Sequence, residues 1–515
     1  MKLHRPSPPP VHDTLFLVGL AAMKLVLHLP VLGRYGHHHD ELYFLSCGLR
    51  LDWGYVDHPP AIPALARLAH ELFGQSVIGL RLAPLLAGVL TIVSIALLAR
   101  RLGGGWWAQG LAAGCWMLAP FALRTGNLLC IPAFEPLVWI TVAHLLVSII
   151  ESETTDRRAG RLWLAVGAVC GVGLLIKHST LFLGLGLAVG LVTTRERRWL
   201  ATPWPWLGGL VALAVFAPHL VWQIRHDWPT VDFLRSIDAD VTSRISRGQF
   251  IAGQFLYFGL LSAVLWIAGL IHCFSAAGRR LRPLGWLWLT AFIVLVSVQS
   301  KIYYLAPSYP ALIAIGGVVF ERWARQSARP RRRLVPFAAT LAIAGSTFAP
   351  MSLPILDIDR TVGYIDTITF GAFDNVYELT ADLRGMFGHR ERVDVVAEVW
   401  RSLTPEEQSK TAIIADWYGP TSAIDYFGRD LGLPTPASVH MSWYLWGPPE
   451  GPIEIVLGVE EDLETFERLF EEVTIAAEVE LADVNPWDRR MQVLLARGPK
   501  VDLDQVWVEH RRFHH

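Results

Sequence analysis

The sequence predicts an all-α polytopic membrane protein with a soluble α/β domain at its C-terminal end. Of 515 residues, 52% are hydrophobic and 18% charged, against roughly 25% charged in ordinary soluble domains. The charges fall in short clusters, separated by apolar runs long enough to cross a hydrocarbon core of about 30 Å as helices of about 20 residues. After Pro350 those runs stop and short mixed segments take over. The formal net charge of −1 reflects opposite charges segregated along the chain, and no nucleic-acid-binding pattern emerges.

On that length criterion the chain holds about eleven spans, near 13–32, 79–99, 106–123, 131–150, 161–176, 179–193, 205–224, 251–273, 284–299, 302–320 and 334–351. One set of loops carries Lys2 and Arg5, Arg100 and Arg101, Arg157 with Arg158 and Arg161, Arg195 with Arg197 and Arg198, Arg279 with Arg280 and Arg282, and the run from Arg322 to Arg333. These loops alternate with others poorer in cations. Because Lys and Arg are retained on the cytoplasmic side, the N-terminus is expected inside. An odd number of spans then puts His37 to Ser76, Arg225 to Phe250 and everything after Pro350 outside a multi-pass protein of the cell (inner) membrane. The first apolar run is too long for a signal-peptide core and no small-residue cleavage site follows it, so it is expected to stay as an anchor.

The expected domains are a transmembrane one over 1–351, with its first exterior loop at 33–78, and an exterior, periplasmic one over 352–515. In the latter, β-type segments at Thr411 to Ala415 and Ile453 to Val459 alternate with an amphipathic helix near Glu461 to Glu472. Trp417 with Tyr418, and Trp443 with Tyr444 and Trp446, have the faces to stack on sugar rings. In a domain of roughly 160 residues such aromatics are more often core. Cys47, Cys115, Cys130, Cys170 and Cys273 lie in or beside spans, with neither metal-type spacing nor a disulfide framework.

The first exterior loop is the richest in chemistry. Ionisable groups at a membrane boundary are costly and mark function, and this loop brings Asp40, Glu41, Asp57, His58 and, at the mouth of the second span, Arg81. A carboxylate at the outer end of a span suits a general base that takes the proton of an attacking hydroxyl; the bland alternative is a charged pair marking the membrane surface. His37, His38 and His39 precede Asp40, but three consecutive histidines do not all face one ion in regular structure, so no metal site is expected. Pro59 and Pro60 forbid helix and hold His58, after Gly54 and Tyr55, in a loop where it can donate to a phosphate or hydroxyl. The stretch Ala64 to Leu72 reads as a helix along the membrane surface, with Arg67, His70 and Glu71 on its wetter side. Arg81 either snorkels to the interface or binds phosphate.

Further polar groups recur at outer span ends: Glu135 before Pro136, Lys177 and His178 in a tight turn, Arg225 and His226 opening the next exterior loop, and Lys301, Tyr303 and Tyr304 opening the tenth span. One base with several cations suits transfer of a sugar carried on a lipid phosphate. The cations stabilise the charge that develops as phosphate leaves, while the carboxylate deprotonates the acceptor.

These residues resemble the polyprenyl-phosphate-sugar glycosyltransferases of the GT-C fold, the dolichyl-phosphate-mannose protein mannosyltransferase-like superfamily that includes the bacterial aminoarabinose transferase. The resemblance rests on DELY at Asp40 to Tyr43, GYVDHPP at Gly54 to Pro60, FGQSVIGLR at Phe73 to Arg81, FEP at Phe134 to Pro136, GLLIKHS at Gly173 to Ser179, WQIRHDWPTVDFL at Trp222 to Leu234 and SKIYYLAPSYPAL at Ser300 to Leu312. It implies an inverting, metal-independent transfer with no cofactor, from a polyprenyl-phosphate sugar to an exterior lipid, glycan or protein. It implies Asp40 as catalytic aspartate, Glu135 as second acidic residue, and Lys177, Arg225 or His226, Lys301 and Tyr304 as donor-site groups. Where the aminoarabinose branch has lysine after glutamate, this chain has His58; where an arginine follows the first acidic pair, it has Leu42 and Tyr43. The sugar is therefore left open.

Two other classes are weighed against this. A transporter places ionisable groups near the midplane of symmetry-related halves, whereas this chain clusters them at outer span ends and shows no evident halves; Lys24 and His28, on one helical face of the first span, are exceptions read as helix-packing or snorkelling residues. An inactive relative serving as a binding module would have little use for Asp40 beside phosphate-site cations.

Overall fold

The computed structural model describes residues 11–240, 245–371 and 376–513; the proline-rich start, Pro6 to Pro10, and Lys2 and Arg5 lie outside them. The chain divides into two compact units, one of Met1–Leu32, Arg81–Arg225 and Asp238–Ile355, the other of Gly33–Leu80, His226–Ile237 and Leu356–His515. The segment Gly33–Leu80, expected as the first exterior loop, thus folds with the C-terminal residues.

The first unit is helical, and the chain is a multi-span membrane protein. Seven helices among the described residues are long and apolar enough to cross a bilayer: Val77–Arg101, Ile131–Ile150, Arg157–Ile176, Trp204–Arg225, Arg279–Ser297, Ile302–Arg325 and Arg331–Ser352. Two shorter apolar helices, Thr14–His28 and Thr180–Thr193, and the helix Trp106–Met117 stand at three more of the expected positions. The third expected span ends early because Pro120 opens a separate short helix, Pro120–Thr125. The span expected at 251–273 is instead two helices, Arg247–Phe258 and Leu260–Phe274, bent by 108°. Gly259 makes the bend at φ 81°, a conformation glycine enters without a Cβ penalty.

In lipid, helices associate through close packing of small residues rather than through the hydrophobic effect. Accordingly, a Cβ on Gly167 would collide with the backbone of Gly208, and one on Gly316 with the backbone of Leu265. These contacts pair Arg157–Ile176 with Trp204–Arg225, and Leu260–Phe274 with the Tyr309–Arg325 helix. Buried Gln254 ties the latter region down, accepting from the Tyr309 hydroxyl at 2.9 Å and donating to the Ile302 carbonyl at 3.2 Å. Lys24 and His28 are equally structural. The Lys24 ammonium lies 3.0 Å from His28 Nε2 and donates to the Ala122 carbonyl at 2.8 Å, and His28 Nε2 lies 3.0 Å from the Leu123 carbonyl.

The second unit is mixed α/β. Its sheet has the order β1-β2-β4-β3, with β1 (Thr411–Ala415) parallel to β2 (Ile455–Val459) and β4 (Arg490–Pro499) antiparallel to both β2 and β3 (Phe470–Glu480). The helix expected near Glu461 to Glu472 is shorter, Leu463–Leu469, and β3 takes over its end. Helix His39–Leu49 packs on helix Tyr418–Phe427, so the first loop and the C-terminal residues share one core of Tyr43, Cys47, Tyr55, Val56, Tyr418, Met441, Trp443 and Phe513. A buried ion pair bolts them together. Arg50 reaches Asp425 at 2.7 and 3.0 Å and lies 4.8 Å over the rings of Trp443 and of Trp446. Burial works against ionisation of Asp425, but Arg50 and Arg429 outweigh it and hold the carboxyl below its usual range. All five cysteines are free.

Candidate functional site

The expected residues form two clusters, one in each unit. In the helical unit, Glu135 opens the helix Glu135–Ile150 and is 3% exposed. A carboxylate at a helix N-terminus meets the positive end of the dipole. Lys177 ends the helix Arg157–Ile176 in an extended conformation, because the turn to the helix Thr180–Thr193 follows at once. Its ammonium lies 3.4 Å from Glu135 Oε2, 3.8 Å from the centroid of Tyr304 and 5.3 Å from that of Tyr303. The Ser179 hydroxyl donates to the other Glu135 oxygen. Three motifs far apart in sequence thus converge on one ammonium group. Beside them His178 Nε2 lies 2.9 Å from His219 Nε2.

Lys301 precedes the turn Ile302–Ser308 that carries the two tyrosines, and Arg225 ends its helix exposed to solvent. No carboxylate pairs with either among the described residues. Both lie two residues from a non-glycine residue in the left-handed region: Lys301 from Gln299 at φ 51°, and Arg225 from Asp227 at φ 58°, which Trp228 follows at 57°. Such backbone costs about 1–3 kcal/mol per residue and gathers at functional sites. Arg81 is fully buried and donates to the Leu32 carbonyl at 2.9 Å. Arg124, which the sequence reading passed over, lies within electrostatic reach of Tyr303 and Tyr257. Its signal was a cation in a loop otherwise poor in them.

In the second unit Asp40 lies in the first turn of helix His39–Leu49, with 38% of its side chain exposed. Its neighbour Glu41 is fully buried, and its Oε2 accepts from the His38 backbone N–H at 2.9 Å. His38 Nδ1 in turn accepts from the Asp40 backbone N–H at 3.1 Å. The two adjacent acids therefore have different surroundings: Glu41 closes a capping box, and Asp40 faces outward. Asp40 Oδ1 accepts from the Tyr418 hydroxyl at 2.8 Å, a contact across 378 residues of sequence. The Tyr43 hydroxyl lies 2.9 Å from Asp57 Oδ1 and 2.7 Å from Ser442 Oγ. Tyr55 and His58 are buried in the same core; the Tyr55 hydroxyl donates to the Cys47 carbonyl, and His58 packs on Tyr43, Phe44 and Tyr55. His226, half-buried, begins the segment His226–Ile237 of this unit.

Of the three histidines, His38 and His39 offer ligand atoms within 4.8 Å of one another and of Asp40. His38 Nδ1 caps the helix His39–Leu49. Among the C-terminal aromatics, Tyr418 and Trp443 are core at 6% and 2% exposure, while Trp417, Tyr444 and Trp446 pack partly buried against them.

Comparison with known proteins gives a consistent picture. Residues 57–222 match the family model for dolichyl-phosphate-mannose-protein mannosyltransferase. The chain is 25% identical over 292 residues to the lipid A galacturonosyltransferase RgtD of Rhizobium johnstonii, covering 55% of this chain and 59% of that one. It is 22% identical over 326 residues to an undecaprenyl phosphate-alpha-4-amino-4-deoxy-L-arabinose arabinosyl transferase of Pseudomonas fluorescens, covering 61% of this chain and 58% of that one. The matched stretches thus span less than two thirds of either relative. Among solved structures, ArnT from Cupriavidus metallidurans matches with TM-score 0.61 at 19% identity in the apo state, over 94% of this chain and 98% of that one. The same protein bound to undecaprenyl phosphate gives 0.60 at 18% identity, over 93% and 98%.

Proposed function

We propose that this chain, similar in sequence and fold to the polyprenyl-phosphate-sugar glycosyltransferases of the GT-C fold, moves a sugar from a polyprenyl-phosphate carrier to an acceptor hydroxyl outside the cytoplasm. Asp40 takes the proton of the acceptor hydroxyl as its oxygen attacks the anomeric carbon. The bond from that carbon to the phosphate oxygen breaks on the opposite face. Polyprenyl phosphate leaves with the electron pair, and the anomeric configuration inverts. Lys177, with Lys301 and Arg225, meets the charge that develops on the leaving phosphate, and the tyrosines beside Lys177 offer faces to sugar and ammonium alike. Among lipid, glycan and protein acceptors, the name of the lipid A galacturonosyltransferase relative favours a lipid.

The observation that carries this reading is the convergence of Glu135, Tyr303 and Tyr304 around the Lys177 ammonium. Glu135 is best placed as the group that orients Lys177, leaving proton transfer to the more exposed Asp40. Transport is less well supported, because the ionisable pair Lys24 and His28 is consumed by backbone carbonyls. Purified protein supplied with undecaprenyl-phosphate sugar should transfer it and be inhibited by free undecaprenyl phosphate, while nucleotide sugars should not serve. Efficient transfer from a nucleotide sugar, indifferent to the lipid carrier, would overturn the proposal.

A further inference from the structure

We propose that Tyr418, from the C-terminal part of the chain, is a positioning residue for Asp40: its hydroxyl holds one carboxylate oxygen so that the other is presented to the acceptor. This rests on the reading of Asp40 as the general base. An aspartate rotates broadly about its last torsion, and a base that must accept a proton along one direction gains from having that rotation stopped. The Tyr418 hydroxyl stops it at Oδ1, 2.8 Å away.

Tyr418 is itself held on several sides. It sits at the first residue of helix Tyr418–Phe427 and is 6% exposed. Its backbone N–H donates to His440 Nδ1 at 3.1 Å. Its ring stacks with two others, His440 at 5.4 Å and an interplanar angle of 7°, and Tyr43 at 4.6 Å and 30°. Tyr43 is pinned in turn by Asp57 and Ser442. A phenylalanine would keep both stacks, so packing alone does not ask for the hydroxyl. Burial, and then the charge of Asp40, push the Tyr418 phenol well above its ordinary range, so it keeps its proton and acts only as a donor. The proton leaving the acceptor oxygen goes to Asp40 Oδ2, and none passes through Tyr418.

A hydrogen bond donated to a carboxylate favours its charged form. Losing the Tyr418 hydroxyl therefore removes a donor that only the ionised carboxylate of Asp40 can fully use. The titratable groups around this pair are His38 and His39 on the turn of Asp40 itself, and Tyr43, Asp57 and His440 from the elements packed against it. The arrangement also gives the C-terminal residues a part in the chemistry, since the first loop has no tyrosine of its own in this contact.

The test uses the full-length protein with Tyr418→Phe, Asp40→Asn and the double variant, assayed with an undecaprenyl-phosphate sugar across pH. Tyr418→Phe should lower turnover about tenfold or more, the loss expected for one hydrogen bond to a charged group, with little change in donor KM. The acid limb of its pH profile should move to higher pH. In the Asp40→Asn background it should have no further effect. A Tyr418→Phe enzyme with an unshifted acid limb, whether its turnover is normal or reduced, would overturn the proposal while leaving Asp40 as base if Asp40→Asn is inactive. Near-normal transfer by Asp40→Asn would bring down both. Circular dichroism and thermal melting of each variant separate loss of fold from loss of positioning.

Discussion

Lys177→Met tests the cation cluster most sharply, because it removes the charge and leaves most of the volume. The ammonium pairs with Glu135 Oε2 at 3.4 Å and lies over Tyr304 at 3.8 Å, while Glu135 itself is 3% exposed. Removing one partner of a buried pair leaves an uncompensated charge and costs about 3–5 kcal/mol. The lower end applies here, since 15% of the Lys177 side chain remains accessible and the Ser179 hydroxyl still serves the carboxylate. We expect about 3 kcal/mol from Lys177→Met and about 1 kcal/mol from Glu135→Gln, whose amide still offers an oxygen to Ser179. The double variant should be less destabilised than the sum by about 2 kcal/mol. In transfer assays Lys177→Met should lose about 10- to 100-fold in kcat/KM for the donor, as expected when a hydrogen bond from a charged group to phosphate is lost. Denaturant titration in mixed micelles gives the coupling, and donor kinetics give the second figure. Additive destabilisation, together with unaltered donor use, would refute the argument.

Two further outcomes follow from charge. A reporter that is active only in the periplasm should be active when fused after the C-terminus and silent after Arg280; the reverse pattern would invert the proposed orientation. Burial pushes the Glu461 carboxyl up to about 8, with Asp416 adding to the effect and Arg512 opposing it. The unfolded chain ionises this group above its ordinary 4.5 while the folded protein still holds the proton, so the group withdraws stability as pH rises from 4.5 to about 8. Glu461→Gln should therefore raise the melting temperature at about pH 8 and change it little at about pH 5; an equal change at both would count against that account.

Much of the fold was legible because a membrane span announces itself by composition alone. Each run expected as a span contains helix, and β1 and β2 lie where alternation and β-branched residues put them. The bend at Gly259 was not legible: apolar residues continue on both sides, and one glycine in an apolar run is common. The hairpin of β3 and β4 was hidden because Glu471, Glu472, Ala476, Ala477 and Glu478 have helical preference, and pairing with β4 overrides it. The different surroundings of Asp40 and Glu41 were missed because the capping position holds His38 rather than the usual serine, threonine, aspartate or asparagine. Tyr418 could be read only as an aromatic in a small domain, since no local pattern links residues 378 apart. In the sequence Glu135, Lys177, Tyr303 and Tyr304 could be read only as polar and aromatic groups recurring at span ends. Their arrangement, with Ser179 and Lys177 both serving Glu135, required three dimensions.

The central claim is that Asp40 takes a proton while a sugar leaves a lipid phosphate. The measurement that tests it most directly is single-turnover transfer from undecaprenyl-phosphate sugar by purified wild-type and Asp40→Asn protein, with the anomeric configuration of the product read by NMR. The account predicts an inverted product from the wild type and turnover at least about 10²-fold lower from a folded Asp40→Asn, the loss typical of a missing general base. Near-normal transfer by Asp40→Asn, or a product of retained configuration, would contradict it.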